Sequence, residues 1–228
     1  MSYSVVDSRY QGDTGGSHVL EVNVMREQSA DTDYWDKQYQ FVLDALDQAY
    51  SGDYVPATIA RKYDTDADLD CNDLLNSGNN WLDNNLSGYD GMYLWVADCS
   101  NTPFACCHES GWDGRHQGFT MTGTYPTVTE TATTGVMEAL HPYLYNFSCP
   151  DVQNEANGDE DHALGQRTYY YKSKHEITPM LGHYDKATAQ TGDCDNWEDD
   201  AEFTANLTYC TLVSLEYSWN HDAGNHSH

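Results

Sequence analysis

The chain has 228 residues, 37 of them acidic and 10 lysine or arginine, which gives a formal net charge of −27 at pH 7. This charge would repel the phosphates of nucleic acids and of anionic membranes, so we do not expect either as a partner. No apolar run approaches the roughly 20 residues that a membrane-spanning helix needs. An apolar fraction of 39% can still supply the core of one large domain or two small subdomains.

The acidic residues are spread along the whole chain, and lysine is scarce. This pattern resembles that of proteins from salt-loving archaea, in which salt screens the repulsion among surface carboxylates. We therefore expect a halophilic protein with an acidic surface.

Seven cysteines occur without a CxxC pair, which disfavours a cysteine zinc site and favours disulfides, with at least one thiol left free or paired between chains. Disulfides indicate a secreted protein, extracellular or at the cell surface. No secretion signal opens the chain, so we expect that any signal has been removed. Four N-x-S/T triplets, which accept N-glycans, agree weakly with this location: Asn85, Asn146, Asn206 and Asn225.

In chain order, residues 1–16 are polar and predict a loose start. Residues 17–26 alternate as in a strand, and residues 32–50 have helical spacing, with Asp31 or Thr32 as the N-cap and Ser51-Gly52 as the end. Residues 55–63 predict a second strand.

Alternating aspartates in residues 64–70 are typical of a calcium loop. However, Leu69 and Leu75 stand where such a loop needs glycine and glutamate. We interpret the segment as an acidic surface loop that caps the next helix, and we do not expect calcium.

The apolar pattern then predicts a helix over residues 69–86, a strand over 91–97 buried on both faces, an edge strand over 118–125 and a buried helix over 129–145. After residue 148 the chain is irregular until an amphipathic helix at about 198–219. The sequence predicts an α+β fold with a mixed sheet and packed helices. We divide it into an upper part, residues 1–148, and a loop-rich lower part, residues 149–228, with a cleft between them.

The buried helix contains Met137-Glu138-Ala139-Leu140-His141. Two histidines at i and i+4 on a helix can bind zinc, and the glutamate after the first one activates the bound water. Glu138 and the second histidine, His141, are present, but Met137 replaces the first. In the alternative interpretation the apolar residues are core and Glu138 is a solvated charge. Pro142 should end or kink the helix near His141.

The element order resembles the upper subdomain of zincin metallopeptidases. The segment Ile177-Thr178-Pro179-Met180-Leu181-Gly182-His183-Tyr184, followed by a terminal helix, resembles the Met-turn of the metzincins. This resemblance implies zinc as the cofactor, Glu138 as the general base and His141 as a ligand. It also implies Met180 as the floor of the metal site, and His162 can stand in for the third ligand.

The chain departs from the metzincin motif at Met137, Leu144 and Phe147. Catalytic zinc usually has three protein ligands, and a thioether suits softer ions. Enzymatic activity, which would be that of a metallopeptidase, therefore stays undecided. One hypothesis is a metalloprotease homologue without activity, a pseudoenzyme that binds proteins or peptides at the cell surface or assembles with itself. The second is an active zinc endopeptidase with a rearranged metal site, and the third is an unrelated α+β fold with a coincidental E-x-x-H.

Overall fold

A computed structural model describes residues 2–16, 18–86, 88, 90–99, 106–107, 112, 114–123, 127–144, 151, 164–165, 169–171, 174–180 and 202–223. These residues form two sheets and four helices. The elements are β1 (Tyr3–Gly12), β2 (Leu20–Arg26), α1 (Thr32–Ser51), β3 (Ala57–Thr65), α2 (Leu74–Asn85), β4 (Gly91–Ala97), β5 (Cys106–Cys107), β6 (Arg115–Met121), α3 (Val128–Leu144), β7 (Tyr169–Tyr171), β8 (Lys174–Ile177), β9 (Glu202–Phe203) and α4 (Tyr209–Asp222).

The larger sheet has six strands in the order β1-β3-β2-β4-β6-β5. Its four inner strands are parallel, and β1 and β5 pair antiparallel at its two edges. One face packs against α1 and α3, and the other packs against α2. The predicted α+β class with a mixed sheet is therefore confirmed. No helix among the described residues is both long and apolar enough to span a membrane.

Strand β4 lies at the centre of both cores. All seven of its residues are buried, as the unbroken apolar run predicted. Leu94 faces the core under α1 and α3, and Trp95 faces the core under α2. Trp95 also packs edge-on against Trp81 of α2, with ring centroids 5.5 Å apart.

Helix α1 has the predicted bounds within one residue. The Asp31 side chain caps its start by accepting a hydrogen bond from the Asp33 backbone N–H at 2.7 Å. On the buried face, the Gln38 amide donates to the Ala132 carbonyl at 3.1 Å. A Cβ at Gly135 would lie 2.0 Å from Gln38 Oε1, so glycine there lets α1 and α3 approach closely.

Three sequence predictions about the strands and the last helix are wrong. The loose start is strand β1, which is exposed and pairs through its backbone, so apolar alternation does not reveal it. The strand predicted at residue 118 begins at Arg115 and lies inside the sheet, and the edge is β5. Its polar start is buried because Gln117 accepts from Trp95 Nε1 at 3.1 Å and donates to Asn79 at 2.6 Å. Helix α4 begins at Tyr209, eleven residues later than predicted.

The aspartate-rich segment, residues 64–70, is not the predicted surface loop that caps α2. Asp64 belongs to β3 and pairs with Arg26 at 2.6 Å. Asp66 accepts from the Ser2 backbone N–H at 2.6 Å and from Trp81 Nε1 at 3.3 Å. The N-cap residue of α2 is Asp73, whose side chain makes no capping hydrogen bond.

The described C-terminal residues form hydrogen bonds with the first half of the chain. Gln48 of α1 donates to the Ala205 carbonyl at 3.1 Å and accepts from the Leu207 N–H at 2.9 Å. Trp219 of α4 donates to the His18 carbonyl at 2.8 Å. The predicted boundary at residue 148 lies outside the described residues.

A disulfide joins Cys71, ahead of α2, to Cys99, after β4, and Cys210 is also disulfide-bonded. The predicted use of cysteines in disulfides is thus confirmed for these three. The first disulfide closes a loop of 28 residues around α2.

We predict that the double variant Cys71→Ser/Cys99→Ser loses about 3–4 kcal/mol of stability, because it frees a loop of this length in the unfolded chain. Urea unfolding of the variant and the parent at one fixed molar salt concentration measures the difference. An unchanged unfolding midpoint would contradict the prediction.

We also predict that stability falls as the pH rises above about 10, the ordinary pKa of tyrosine. Burial raises the pKa of Tyr39 to about 12, and burial near Glu21 raises the pKa of Tyr143. Above pH 10 the unfolded chain therefore loses protons that the folded chain keeps, which favours unfolding. Thermal unfolding at pH 8 to 11 measures the fall.

Tyr143→Phe is the matched variant for this test. At pH 8 it should cost about 1 kcal/mol, since the Tyr143 hydroxyl donates to the Glu21 carbonyl at 2.7 Å. Above pH 10 its stability should fall less steeply than that of the parent. An equal slope would show that Tyr143 does not contribute to the alkaline transition.

Candidate functional site

The candidate site lies on α3, which is enclosed over most of its length. Fourteen consecutive residues, from Thr131 to Leu144, are buried. The helix packs against α1 and α4 and against strands β4, β6 and β9. A helix buried on all sides has to satisfy every polar side chain that it carries inside the protein.

Glu138 and His141 contact each other within this enclosed helix. Glu138 Oε2 lies 3.1 Å from His141 Nδ1, and the residues are 3% and 5% exposed. The alternative interpretation of Glu138 as a solvated charge is therefore wrong. With Glu138 ionised, Nδ1 carries the proton and donates it, so Nε2 bears the lone pair that can accept a proton or bind a metal.

Gly118 of β6 lies beside Glu138, and its lack of a side chain makes room for Met92. A Cβ at Gly118 would lie 3.4 Å from Glu138 Cβ and 2.5 Å from Met92 Cε. Gly118 was predicted to lie in a strand, but its contact with α3 was not predicted. A glycine inside a strand often marks such a close approach, so a signal was present.

Met137 occupies the position of the missing first ligand and is fully buried. It belongs to the main core cluster, together with Leu140 and Leu144 of the same helix. Met137 and His141 are four residues apart and so share one face of α3. The methionine side chain fills a core position there.

Met180, the predicted residue of the Met-turn, follows β8 and is fully buried. It belongs to the same core cluster as Met137. The structure thus brings the two methionines and α3 into one core. His162, the predicted substitute ligand, lies outside the described residues.

The end of α3 carries aromatic residues that the sequence analysis did not single out. The helix continues past Pro142 to Leu144, so of the two predicted alternatives, an end or a kink near His141, the end is wrong. The Tyr143 ring packs on Trp112, with centroids 4.9 Å apart, and lies 6.2 Å from the ring of buried His116. Trp112 Nε1 donates to Ser218 Oγ of α4 at 2.9 Å.

The donors on α3 do not meet the requirement of a catalytic zinc site. Met137 offers a buried thioether, and Glu138 already binds His141. Among the described residues, no three His, Cys, Asp or Glu side chains form a group that could hold a metal ion. A further ligand would have to come from elsewhere in the chain.

Comparisons with known proteins assign no family. No protein-family model matches the chain, and neither a curated protein nor a solved structure matches it significantly.

Proposed function

We propose that the chain is an extracellular metzincin-like domain without peptidase activity, which acts as a surface binding or assembly module. The observation that carries the proposal is the core of α3. Met137 is buried at the first ligand position, and Glu138 is bound to His141 at 3.1 Å. Replacing the first histidine of a zinc-binding helix by methionine keeps the packing of the helix and removes one metal ligand.

The order of the elements supports the metzincin-like part of the proposal. Strands and helices alternate from β2 to β4, an antiparallel edge strand and β6 follow, and α3 comes next. Buried Met180 follows β8, and the chain approaches its end with α4. This is the layout expected for a zincin upper subdomain with a Met-turn and a terminal helix below it.

The chemistry of the donors supports the absence of activity. A catalytic zinc site uses three protein ligands and leaves one position open for water. Of the two ligand positions of the motif on α3, only His141 holds a histidine, and the thioether of Met137 binds zinc poorly. Because Glu138 and His141 are bonded to each other, the carboxylate is not reserved for a metal-bound water.

One observation favours the alternative, an active zinc endopeptidase with a rearranged site. The Glu138 carboxylate lies 3.1 Å from His141 Nδ1, and a carboxylate in this position holds a neutral histidine in the tautomer whose Nε2 can bind a metal. In this alternative Glu138 is the base, His141 and His162 are ligands, and Met180 forms the floor.

The proposed location rests on the disulfides, and the proposed partners rest on the net charge. Cys71–Cys99 and the bonded Cys210 fit an oxidising compartment. A net charge of −27 disfavours nucleic acid and anionic membranes, and we propose a protein or a peptide as the partner. A second copy of the chain is a partner only where salt screens the repulsion between the copies.

We predict that the protein, purified in molar salt and dialysed against zinc, binds no stoichiometric zinc and does not cleave casein. Elemental analysis and a casein assay measure the two properties. One zinc ion per chain that is lost in His141→Ala would overturn the proposed inactivity and favour the rearranged site.

Met137→His is the matched variant, because it supplies the imidazole that the motif lacks. We expect this variant to bind close to one zinc ion per chain, provided that α3 is positioned as in a metzincin. Met137→Leu keeps the apolar volume and should bind no more zinc than the parent. Equal zinc content in the histidine and leucine variants would contradict the metzincin-like placement of α3.

We predict that thermal stability rises with KCl concentration into the molar range, since salt screens the repulsion within a chain of net charge −27. Differential scanning calorimetry from 0.1 to 3 M KCl, over which the screening length falls from about 10 Å to below about 3 Å, measures the effect. A flat or falling melting temperature would refute the halophilic adaptation.

A further inference from the structure

Strand β1 holds four of the five exposed large apolar side chains among the described residues. The fifth, Tyr209, belongs to α4. The four on β1 are Tyr3 (43%), Val5 (48%), Val6 (55%) and Tyr10 (53%). Such a concentration on one strand is unusual for a surface as acidic as this one and marks an interaction site.

The same strand forms an open edge of the larger sheet. In the part of the chain that the structure describes, β1 pairs with β3 on one side and with no strand on the other. It is ten residues long, longer than most edge strands. A long edge strand with exposed apolar side chains is a template for pairing with another chain.

The charges on β1 select its partner. The strand carries one acid, Asp7, and one base, Arg9, so it is neutral within a chain of net charge −27. The two charges flank Ser8 symmetrically, and Val6 and Tyr10 flank the charges in turn. A strand with this symmetry is complementary to an antiparallel copy of itself.

We propose that two copies of the chain pair through β1, antiparallel, about a two-fold axis at Ser8. In this register Asp7 lies opposite the partner's Arg9, and Val6, the extra residue of the bulge between Val5 and Asp7, lies beside the partner's Tyr10. Opposite charges and aromatic–β-branched pairs both stabilise neighbouring strands. The two six-stranded sheets then form one continuous sheet, and the symmetric interface closes the assembly at a dimer.

The existing contacts of Arg9 are compatible with this interface. Arg9 pairs with Asp47 of α1 at 3.0 Å, yet its side chain is 48% exposed. A guanidinium has five N–H donors and can bind two carboxylates at once. The bulge between Val5 and Asp7 limits indiscriminate pairing of the edge, and the two charges penalise registers that bring like charges together.

The salt concentration should control the equilibrium between monomer and dimer, because each copy has a net charge of −27. The long-range repulsion between copies is screened in molar salt, while the backbone hydrogen bonds and the apolar contacts remain. The dimer is therefore expected at high salt. For its biological meaning this inference rests on the proposed assembly function, but the contacts do not depend on the metal-binding state of α3.

The test is sedimentation equilibrium of the full chain at tens of micromolar in molar KCl, with circular dichroism to verify folding. We expect a dimer for the parent. Asp7→Arg and Arg9→Asp should each weaken it at least tenfold, because each variant places like charges opposite each other twice. The double variant Asp7→Arg/Arg9→Asp restores both ion pairs and should recover the parent affinity within about threefold.

The Asp7→Arg variant separates this register from a general charge effect. It makes the chain less acidic, so general repulsion alone would predict tighter association, whereas the proposed register predicts weaker association. Asp47→Asn removes the ion pair with Arg9 inside the chain and should leave the dimer intact. Val6→Lys, a substitution of an exposed residue, should also weaken the dimer.

A parent that stays monomeric, or a dimer that tolerates Asp7→Arg and Arg9→Asp unchanged, overturns the inference. A monomer without zinc would refute the β1 dimer alone and leave the inactive domain standing. A dimer that holds stoichiometric zinc and cleaves casein would refute the proposed inactivity and leave the dimer standing.

Discussion

The burial of α3 is the constraint on which the rest of the structure depends. A helix enclosed by a sheet and two helices can keep polar side chains only if they find partners within the protein. Thr134 donates to the Glu130 carbonyl at 3.0 Å, and Thr133 donates to the Thr204 carbonyl at 2.9 Å. The Glu138–His141 contact meets the same requirement, since each of the two buried side chains finds a partner in the other whether or not a metal binds.

The sequence predicted two kinds of element. One kind has a buried face and an exposed face, and the other is buried throughout. The apolar run of β4 and the spacing and cap of α1 predicted both elements within one or two residues. The predicted helix over 129–145 agrees with α3, and its burial on all sides agrees with an apolar character that has little periodicity. The pair of Glu138 and His141 was predictable because i and i+3 positions on a helix are neighbours.

The elements that the sequence did not predict depend on partners distant in the chain. Strand β1 is held by backbone pairing with β3, about 50 residues away, and its side chains are exposed. The start of β6 is polar because Gln117 meets Trp95 and Asn79 inside the fold. The contact between Gly118 and Glu138 is likewise tertiary. Local patterns of hydropathy do not predict such contacts.

Position 137 shows why packing and metal binding make opposite demands on α3. A methionine there fills the core with a flexible apolar side chain and leaves no polar atom to satisfy. A histidine would provide a ligand, but without a bound ion it would bury an imidazole that needs a partner. Stability of the metal-free fold therefore favours Met137, while zinc binding would favour histidine. A domain that acts as we propose, through surfaces such as the open edge of β1, gains stability from the methionine and loses nothing that it uses.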